Sequence, residues 1–196
     1  MPKIGMEEPR RRALIDATIH EVGARGGMDV TVGQIARRAG MSTALAHHYF
    51  GNKERILLAA MRHILSTFGA LVREELARVE TPMQRLNAIL DASMDRRHFE
   101  PETVAAWLAF YVQAQQSPEA RRLLRVYALR LHSNLLHELK QLTDPARAAR
   151  MAQALSALID GFYIRHALQD QAPDRDDIID ILRDYTCRQL TETGQP

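Results

Sequence analysis

The sequence predicts an all-α protein, with a compact N-terminal head followed by a larger body of long helices. The chain is rich in Ala, Leu, Arg, Glu and Gln, and its apolar residues recur at helical spacing. No stretch shows the alternation that is typical of a half-buried strand. Its prolines stand at or outside plausible helix starts, where a missing N–H does no harm. These patterns predict nine helices, at residues 8–25, 32–39, 43–50, 53–79, 82–97, 102–115, 118–141, 145–169 and 174–191.

The first helix is indicated by an apolar stripe, and the loop RGGMDV ends it. The stripe consists of Leu14, Ile15, Thr18, Ile19 and Val22. Asp16, His20 and Glu21 point away from this stripe, as in an amphipathic helix.

Helices two and three form a candidate helix-turn-helix. Thr31 and Gln34 have the spacing of a capping box, in which each side chain satisfies a free amide at the helix start. Gly40 supplies the permissive backbone that closes helix two, and Ser42 is suited to cap helix three. Two short helices joined by a glycine-containing turn are typical of DNA-binding heads, but they also occur in proteins that never touch DNA.

The surface of helix three offers groups that suit a DNA groove. A rotation of about 100° per residue places Thr43, Ala44, His47 and His48 on one arc. Short and hydrogen-bonding side chains can read base edges in a major groove. Lys53 stands at the start of helix four, where a cation opposes the helix dipole, so its position makes sense if it meets a phosphate.

Other interpretations of these residues remain open. Because His47 and His48 are adjacent, their side chains diverge, and they cannot chelate one metal ion as an i, i+4 pair could. The sequence shows no Cys/His/Asp cluster either, so we expect no metal and no cofactor. Arg37 and Arg38 fit a solvated helix face as well as a phosphate contact.

Helix four is predicted to run continuously out of the head, which gives a head at residues 1–52 and a body at residues 53–196. Three later helices begin with a capping residue followed by proline, at Thr81-Pro82, Ser117-Pro118 and Asp144-Pro145. The longest predicted helices all lie in the body.

Composition indicates a soluble protein whose N-terminal part is basic. Residues 1–63 carry ten Lys and Arg against six Asp and Glu, whereas residues 64–196 carry sixteen against eighteen. No apolar run approaches the roughly 20 residues of a membrane span, and the N-terminus lacks the apolar centre of a signal peptide. With a single cysteine, Cys187, no internal disulfide can form. We therefore expect a cytoplasmic protein whose basic N-terminal part is suited to bind a polyanion.

Aromatic side chains in the body form two groups. Trp107, Phe110 and Tyr111 share one helical face, while Tyr163 follows Asp160 near the end of helix eight. Aromatic residues at this spacing are typical of an ordinary core, but they can also hold a ligand. Asp160 is equally suited to a structural hydrogen bond.

Two other classes of function were weighed. An enzyme would need a nucleophile beside a base; Ser133 and His137 lie at i, i+4, but they lack an evident orienting acid or oxyanion donor. A helical adaptor would bind other proteins and retain the N-terminal head as a fold without a DNA-binding role. It would leave no sequence-specific footprint on DNA.

The stretch TVGQIARRAGMSTALAHHYFGNKERIL resembles the DNA-binding signature of the tetracycline-repressor (TetR) family of bacterial transcriptional regulators. Five further segments resemble those of the choline-responsive repressors of glycine-betaine synthesis within that family. They are MPKIGM, RRRALIDAT, AWLAF, RLHSNLLHEL and LIDGFYIRHAL. The resemblance implies the nine-helix repressor fold, double-stranded operator DNA as partner, and repression relieved by choline. Another small cationic or apolar effector is the alternative.

The resemblance also implies a set of DNA contacts. The front of the recognition helix reads bases, which here means Thr43, Ala44 and His47. His47 replaces the family's usual tyrosine, and Ala46 replaces a bulky aliphatic residue, so the operator sequence does not transfer. The full set expected at DNA is Thr31, Ser42, Thr43, Ala44, His47, His48, Tyr49 and Lys53.

Effector and dimer contacts follow from the same resemblance. A quaternary ammonium such as choline has no N–H to donate, so aromatic faces and a nearby carboxylate hold it best. The residues expected to contact it are Trp107, Phe110, Tyr111, Tyr127, Asn134, Asp160 and Tyr163. Family members form homodimers through their last two helices, here residues 145–191. The apolar residues expected in that interface are Met151, Leu155, Leu158, Ile159, Ile178, Ile179 and Leu182, although an intrachain core explains their spacing equally well.

Overall fold

A computed structural model describes residues 6–168 and 174–191, and that part of the chain contains nine α-helices and no strand. The predicted all-α class is confirmed. The helices are α1 Glu7–Arg25, α2 Val32–Arg38, α3 Thr43–Phe50, α4 Lys53–Leu76, α5 Pro82–Ser93, α6 Pro101–Gln116, α7 Pro118–Leu139, α8 Pro145–Leu168 and α9 Arg175–Thr191. A single 3₁₀ turn, Arg96–His98, lies between α5 and α6. The predicted end of helix eight at residue 169 and most of the segment MPKIGM lie outside the described residues.

The helix starts are confirmed by their caps. Gln84 N–H donates to the Thr81 hydroxyl, and Ala120 N–H donates to that of Ser117. The Asp144 carboxylate accepts from the amides of Arg147 and Ala146, which lowers the pKa of Asp144.

The predicted end of helix five was wrong by about a turn. α5 ends at Ser93 instead of residue 97, and groups distant in sequence bind the carbonyls of its last residue and of the capping residue Met94. The Tyr163 hydroxyl donates to the Ser93 carbonyl, and Arg175 Nε donates to the Met94 carbonyl at 2.6 Å. Asp95 then caps the 3₁₀ turn through the Arg97 amide. These bonds tie the end of α5 to α8 and α9.

Chain contacts divide the described residues into two compact units. The first comprises the chain up to Ser66 together with Glu100–Leu124, and the second comprises Thr67–Phe99 together with the chain from Arg125 onward. The first unit thus groups α1 to α3 with the beginning of α4 and with α6. The functional boundary after residue 52 stays a prediction.

In the first unit, α1 packs against α6 and α2, and α2 packs against α3. Leu14, Val22, Ile35 and Ala46 are fully buried there, as the apolar patterns predicted. Gly23 allows α1 to approach α6 closely, since a Cβ at this position would lie 2.1 Å from the carbonyl oxygen of Glu102.

Glu21 joins α1 to α2. Its carboxylate accepts from Arg38 Nε at 2.5 Å and lies 3.7 Å from Arg25 Nε. The hydrogen bond from Arg38 lowers the pKa of Glu21 below its ordinary value of 4.5. Arg38 therefore has a structural partner on α1.

The second unit contains two cross-helix ion pairs. Glu138, only 2% exposed, accepts from Arg85 Nε at 2.8 Å and from Gln141. Arg183 on α9 binds the Asp91 carboxylate of α5 at 2.7 Å. Burial nevertheless raises the pKa of Asp91, because desolvation outweighs the attraction of the guanidinium.

The residues expected in a dimer interface were mostly misassigned. Met151, Leu155 and Ile159 of α8 are at most 1% exposed within a single chain. Ile178, Ile179 and Leu182 of α9 are buried in the same way. They belong to the intrachain core, because the apolar spacing of a core is the same as that of an interface. The large apolar side chains that α8 and α9 leave exposed are Ile164, Leu168 and Ile181.

Within the described residues, α4 is long and apolar enough to cross a membrane by length and composition alone. The helices of soluble cores pass the same test. Ile56, Ala60 and Met61 of α4 are fully buried in the protein, so this helix is explained as a core helix.

The Gly23→Ala variant is expected to lose stability. The new Cβ meets backbone rather than a flexible side chain, and such overpacking costs about 1 to 3 kcal/mol, or several degrees in Tm for a chain of this size. Gly69→Ala is the matched control, because its Cβ meets only the tip of Arg73, and alanine favours a helix interior. Thermal denaturation followed by circular dichroism compares the two. Equal melting temperatures would contradict the close approach.

The Glu21→Gln variant is expected to destabilise the protein near neutral pH by about 0.5 to 1 kcal/mol. Because the pKa of Glu21 is lowered on folding, its contribution is present above pH 4.5 and disappears as the carboxylate is protonated below that value. Urea denaturation of both proteins between pH 3 and pH 7 measures the difference. A difference that does not shrink toward low pH would show that the ion pair is not its source.

Candidate DNA-binding surface and effector residues

The turn between α2 and α3 is built as the sequence predicted. Thr31 and Gln34 form both bonds of the capping box, at 3.2 and 2.8 Å. Gly40 adopts a φ of +67°, which a residue with a side chain rarely tolerates, and the Ser42 hydroxyl accepts from the amide of Leu45. These local bonds fix where α2 and α3 begin.

α3 presents the predicted polar arc to solvent. Thr43, Ala44, His47 and His48 are exposed, whereas Ala46 on the opposite side is fully buried. The small Ala46 lets α3 lie close to its neighbours. The result is a short helix whose outer surface carries two hydroxyl groups, counting that of Ser42, and two imidazoles.

The corner between α3 and α4 adds polar groups beside this arc. Gly51 has a φ of +81°, and its carbonyl lies 2.9 Å from Nδ1 of His47. Asn52 caps α4 by accepting from the amide of Arg55 at 2.9 Å. Lys53 follows, and within the described chain no carboxylate lies within ion-pair distance of its ammonium group.

Tyr49 is held by α1, a contact that sequence reasoning missed. Arg10 Nη1 donates to the Tyr49 hydroxyl at 3.4 Å, and the guanidinium of Arg11 lies 5.7 Å from the centre of the Tyr49 ring. His48 meets the same ring edge-on at 5.4 Å. Because Arg10 and Arg11 lie 39 and 38 residues before Tyr49, no local pattern could have indicated the contact.

The expected effector residues of α6 are largely buried. Trp107 and Phe110 are 7% and 1% exposed, and Trp107 meets Tyr111 edge-on with ring centres 5.3 Å apart. Phe110 also lines a cleft of about 490 Å³, which Lys53 and Gln113 line as well. Among these three aromatic residues, Phe110 is the one at this opening.

The remaining effector candidates belong to the second compact unit. Tyr127 and Tyr163 are each 6% exposed, whereas Asn134 and Asp160 are half-buried. Tyr127 packs edge-on against Phe68, and Tyr163 stacks on Phe99 with ring centres 4.8 Å apart. Phe99 was missed in the sequence, since it follows a 3₁₀ turn and shares no helical face with Tyr163. The candidates thus form two separate sets.

The structure also describes the residues considered for metal binding and for catalysis. In the described part of the chain, no three His, Cys, Asp or Glu side chains converge as metal ligands would. The Ser133 hydroxyl donates to the carbonyl of Arg130 at 3.1 Å, a bond within its own helix. His137 is exposed.

Comparison with known proteins accounts for nearly the whole chain. Residues 14–60 match the family of bacterial regulatory proteins called tetR, and residues 82–191 match the BetI-type transcriptional repressor C-terminal domain. The HTH-type transcriptional regulator BetI of Brucella anthropi is 54% identical over 190 residues, covering 97% of this chain and 98% of the relative. The BetI of Agrobacterium fabrum is 48% identical over 169 residues, covering 86% and 82%.

Solved structures show the same fold at lower identity. A transcriptional regulator from Pseudomonas aeruginosa superposes with a TM-score of 0.82 at 23% identity, covering 94% of this chain and 92% of its own. A regulator from Saccharomonospora viridis, solved in complex with choline, has a TM-score of 0.78 at 22% identity, covering 91% and 95%. With its signature, fold and full-length relatives in agreement, the chain belongs to the TetR family of transcriptional regulators, in its BetI-type branch.

Proposed function

We propose that this protein is a cytoplasmic repressor that binds operator DNA through α3 and releases it when choline binds. The observation that carries the proposal is the exposed polar arc of α3, set between a capped turn and the unpaired cation Lys53. A helix of this kind fits a major groove, and a lysine at a helix start meets a backbone phosphate well. Catalysis forms no part of the function.

Each predicted DNA residue has a proposed role. Thr43, Ala44 and His47 face base edges, and Ser42 caps the helix beside them. The phosphate contacts are assigned to Thr31, His48, Tyr49 and Lys53. Base contacts determine which sequence is bound, whereas phosphate contacts fix orientation and supply most of the salt-dependent affinity.

Homodimerisation gives this arrangement its specificity. Two recognition helices about 34 to 36 Å apart meet successive major grooves of a palindromic site. The proposed interface lies within residues 145–191. Its candidates are now the exposed apolar side chains of α8 and α9, namely Ile164, Leu168 and Ile181.

Choline is proposed as the effector because of the relatives and the aromatic content of α6 and α8. The name BetI belongs to relatives of high identity, and a structural neighbour contains choline. Aromatic faces attract a quaternary ammonium through cation–π interactions, and Asp160 supplies a carboxylate. If choline favours a dimer whose heads are wrongly spaced, choline and DNA weaken each other's binding reciprocally.

Replacing Lys53 and Tyr49 separates the proposed phosphate contacts. Lys53→Ala is expected to weaken binding to all DNA sequences about tenfold. It should also reduce the magnitude of the slope of log K against log salt by about 0.9, because one phosphate fewer is neutralised. Tyr49→Phe removes a neutral donor, so affinity falls with the slope unchanged. Fluorescence anisotropy with operator and random duplexes measures both effects. Lys140→Ala, at the exposed lysine after α7, is the control; equal slopes for Lys53→Ala and Lys140→Ala would contradict the docking.

Calorimetric titration tests the effector. We expect choline to bind and 3,3-dimethylbutanol, its neutral isostere, to bind at least about tenfold more weakly, because only choline makes cation–π interactions. Trp107→Phe and Asp160→Asn then tell which aromatic set holds the ammonium group. Absence of choline binding at millimolar concentration would remove choline as effector and leave the family assignment intact.

A further inference from the structure

A basic groove lies behind the recognition helix, formed by α1, α3 and α4. We call it the arginine groove; it has a volume of about 530 Å³. Three arginines line it, Arg11, Arg55 and Arg62, together with the imidazole rings of His47 and His48, and no Asp or Glu side chain lines it. Arg11 pairs with Glu7 at 2.9 Å, and Glu8 lines the adjoining cleft that shares Arg11 and Arg62 with this groove. A concave surface with this charge fits an anion.

Arg55 stands at the outer end of this groove, in the first turn of α4. Its Nη1 atom lies 3.5 Å from the point that a Cβ at Gly51 would occupy, so the guanidinium folds over the bare backbone of the corner. Asn52 holds the amide of Arg55. Among the described residues, no carboxylate lies within 4.0 Å of the Arg55 guanidinium. The corner therefore keeps an uncompensated cation, which lines the arginine groove, whereas Lys53 lines the separate cleft beside Phe110.

Tyr49 is oriented at the same corner by α1. Its hydroxyl oxygen accepts from Arg10 Nη1, which leaves the phenolic O–H to donate elsewhere. Arg11 lies 5.7 Å from the centre of the Tyr49 ring and 5.2 Å from that of Phe50, so the ring is held by a cation on α1. A hydroxyl that already accepts from a cation is a better donor to an anion.

We propose that α1 and α4 complete a phosphate clamp beside the recognition helix, in which Arg55 binds a backbone phosphate of DNA and Arg10 positions Tyr49 to donate to a phosphate of the same strand. The proposal rests on the DNA-binding function above and adds Arg10 and Arg55 to it. DNA is the occupant that fits, because the cations share their groove with His47 and His48 of the exposed arc of α3. Arg62 lies seven residues further along α4, about 10 Å along the helix axis, beyond the strand that Arg55 meets.

The test compares Arg55→Ala with Arg62→Ala, two arginines of one groove on one helix. Arg55→Ala should weaken binding to operator and random duplexes by about the same factor, roughly tenfold, and should lower the salt slope by about 0.9. Arg62→Ala should change neither quantity. Because both side chains are exposed, we expect both variants to keep the melting temperature of the unmodified protein.

A double-mutant cycle tests Arg10 as a positioning residue. Arg10→Gln should weaken DNA binding when Tyr49 is present, and it should have a much smaller effect in the Tyr49→Phe background, because the two groups act as one. Equal effects in both backgrounds would show that Arg10 acts by its charge alone, which overturns the positioning role.

Other outcomes overturn the clamp as a whole. Equal slope changes for Arg55→Ala and Arg62→Ala would indicate a diffuse basic surface, and an unchanged slope for Arg55→Ala would exclude the contact. Inorganic pyrophosphate binding that requires Arg55, with DNA binding unaffected by Arg55→Ala, would assign the groove to a free anion. If the protein binds random duplex as tightly as any upstream sequence, the repressor function fails, whereas the salt comparison on random duplex still tests the clamp.

Discussion

The packing of α1 against α6 supports the contacts that α1 makes with α2 and with the end of α3. At Gly23 the two helices approach so closely that a single methyl group would meet the backbone of Glu102. Helix α1, fixed in this way, holds α2 through Glu21 and Arg38 and holds Tyr49 through Arg10 and Arg11. The recognition helix therefore needs few bonds of its own, because a longer helix determines where it lies.

Much of the fold could be predicted because its signals are local. A capping residue, a proline and an apolar period of 3.6 lie within one or two turns of each other, so the starts of α5, α7 and α8 were clear in the sequence. The end of α5 was not, since Tyr163 and Arg175 bind the carbonyls around that end from 70 and 81 residues away. The side chains of α8 and α9 were misassigned for a related reason: apolar spacing does not tell a core from an interface.

The candidate sites also divide into features with local signals in the sequence and features that depend on distant contacts. The polar arc of α3 follows from geometry along one short helix, and its exposed and buried sides lie where that geometry places them. The effector candidates depend on which helices meet, and they belong to two compact units. Phe99, which stacks on Tyr163, carries no signal in its own neighbourhood. A close resemblance identifies the kind of ligand more readily than the side chains that hold it.

Gly23 also limits how the sequence can change during evolution. Most crowded positions can drift, because a neighbouring side chain shrinks when another grows. Here the obstacle is the main chain of Glu102, which every amino acid shares. No substitution at position 102 therefore makes room for a Cβ at position 23. A relative without this glycine would have to hold α1 further from α6, and the helices that pack on α1 would have to shift with it. Codon 23 is thus expected to be among the slowest to vary in this branch of the family, although it touches neither DNA nor effector.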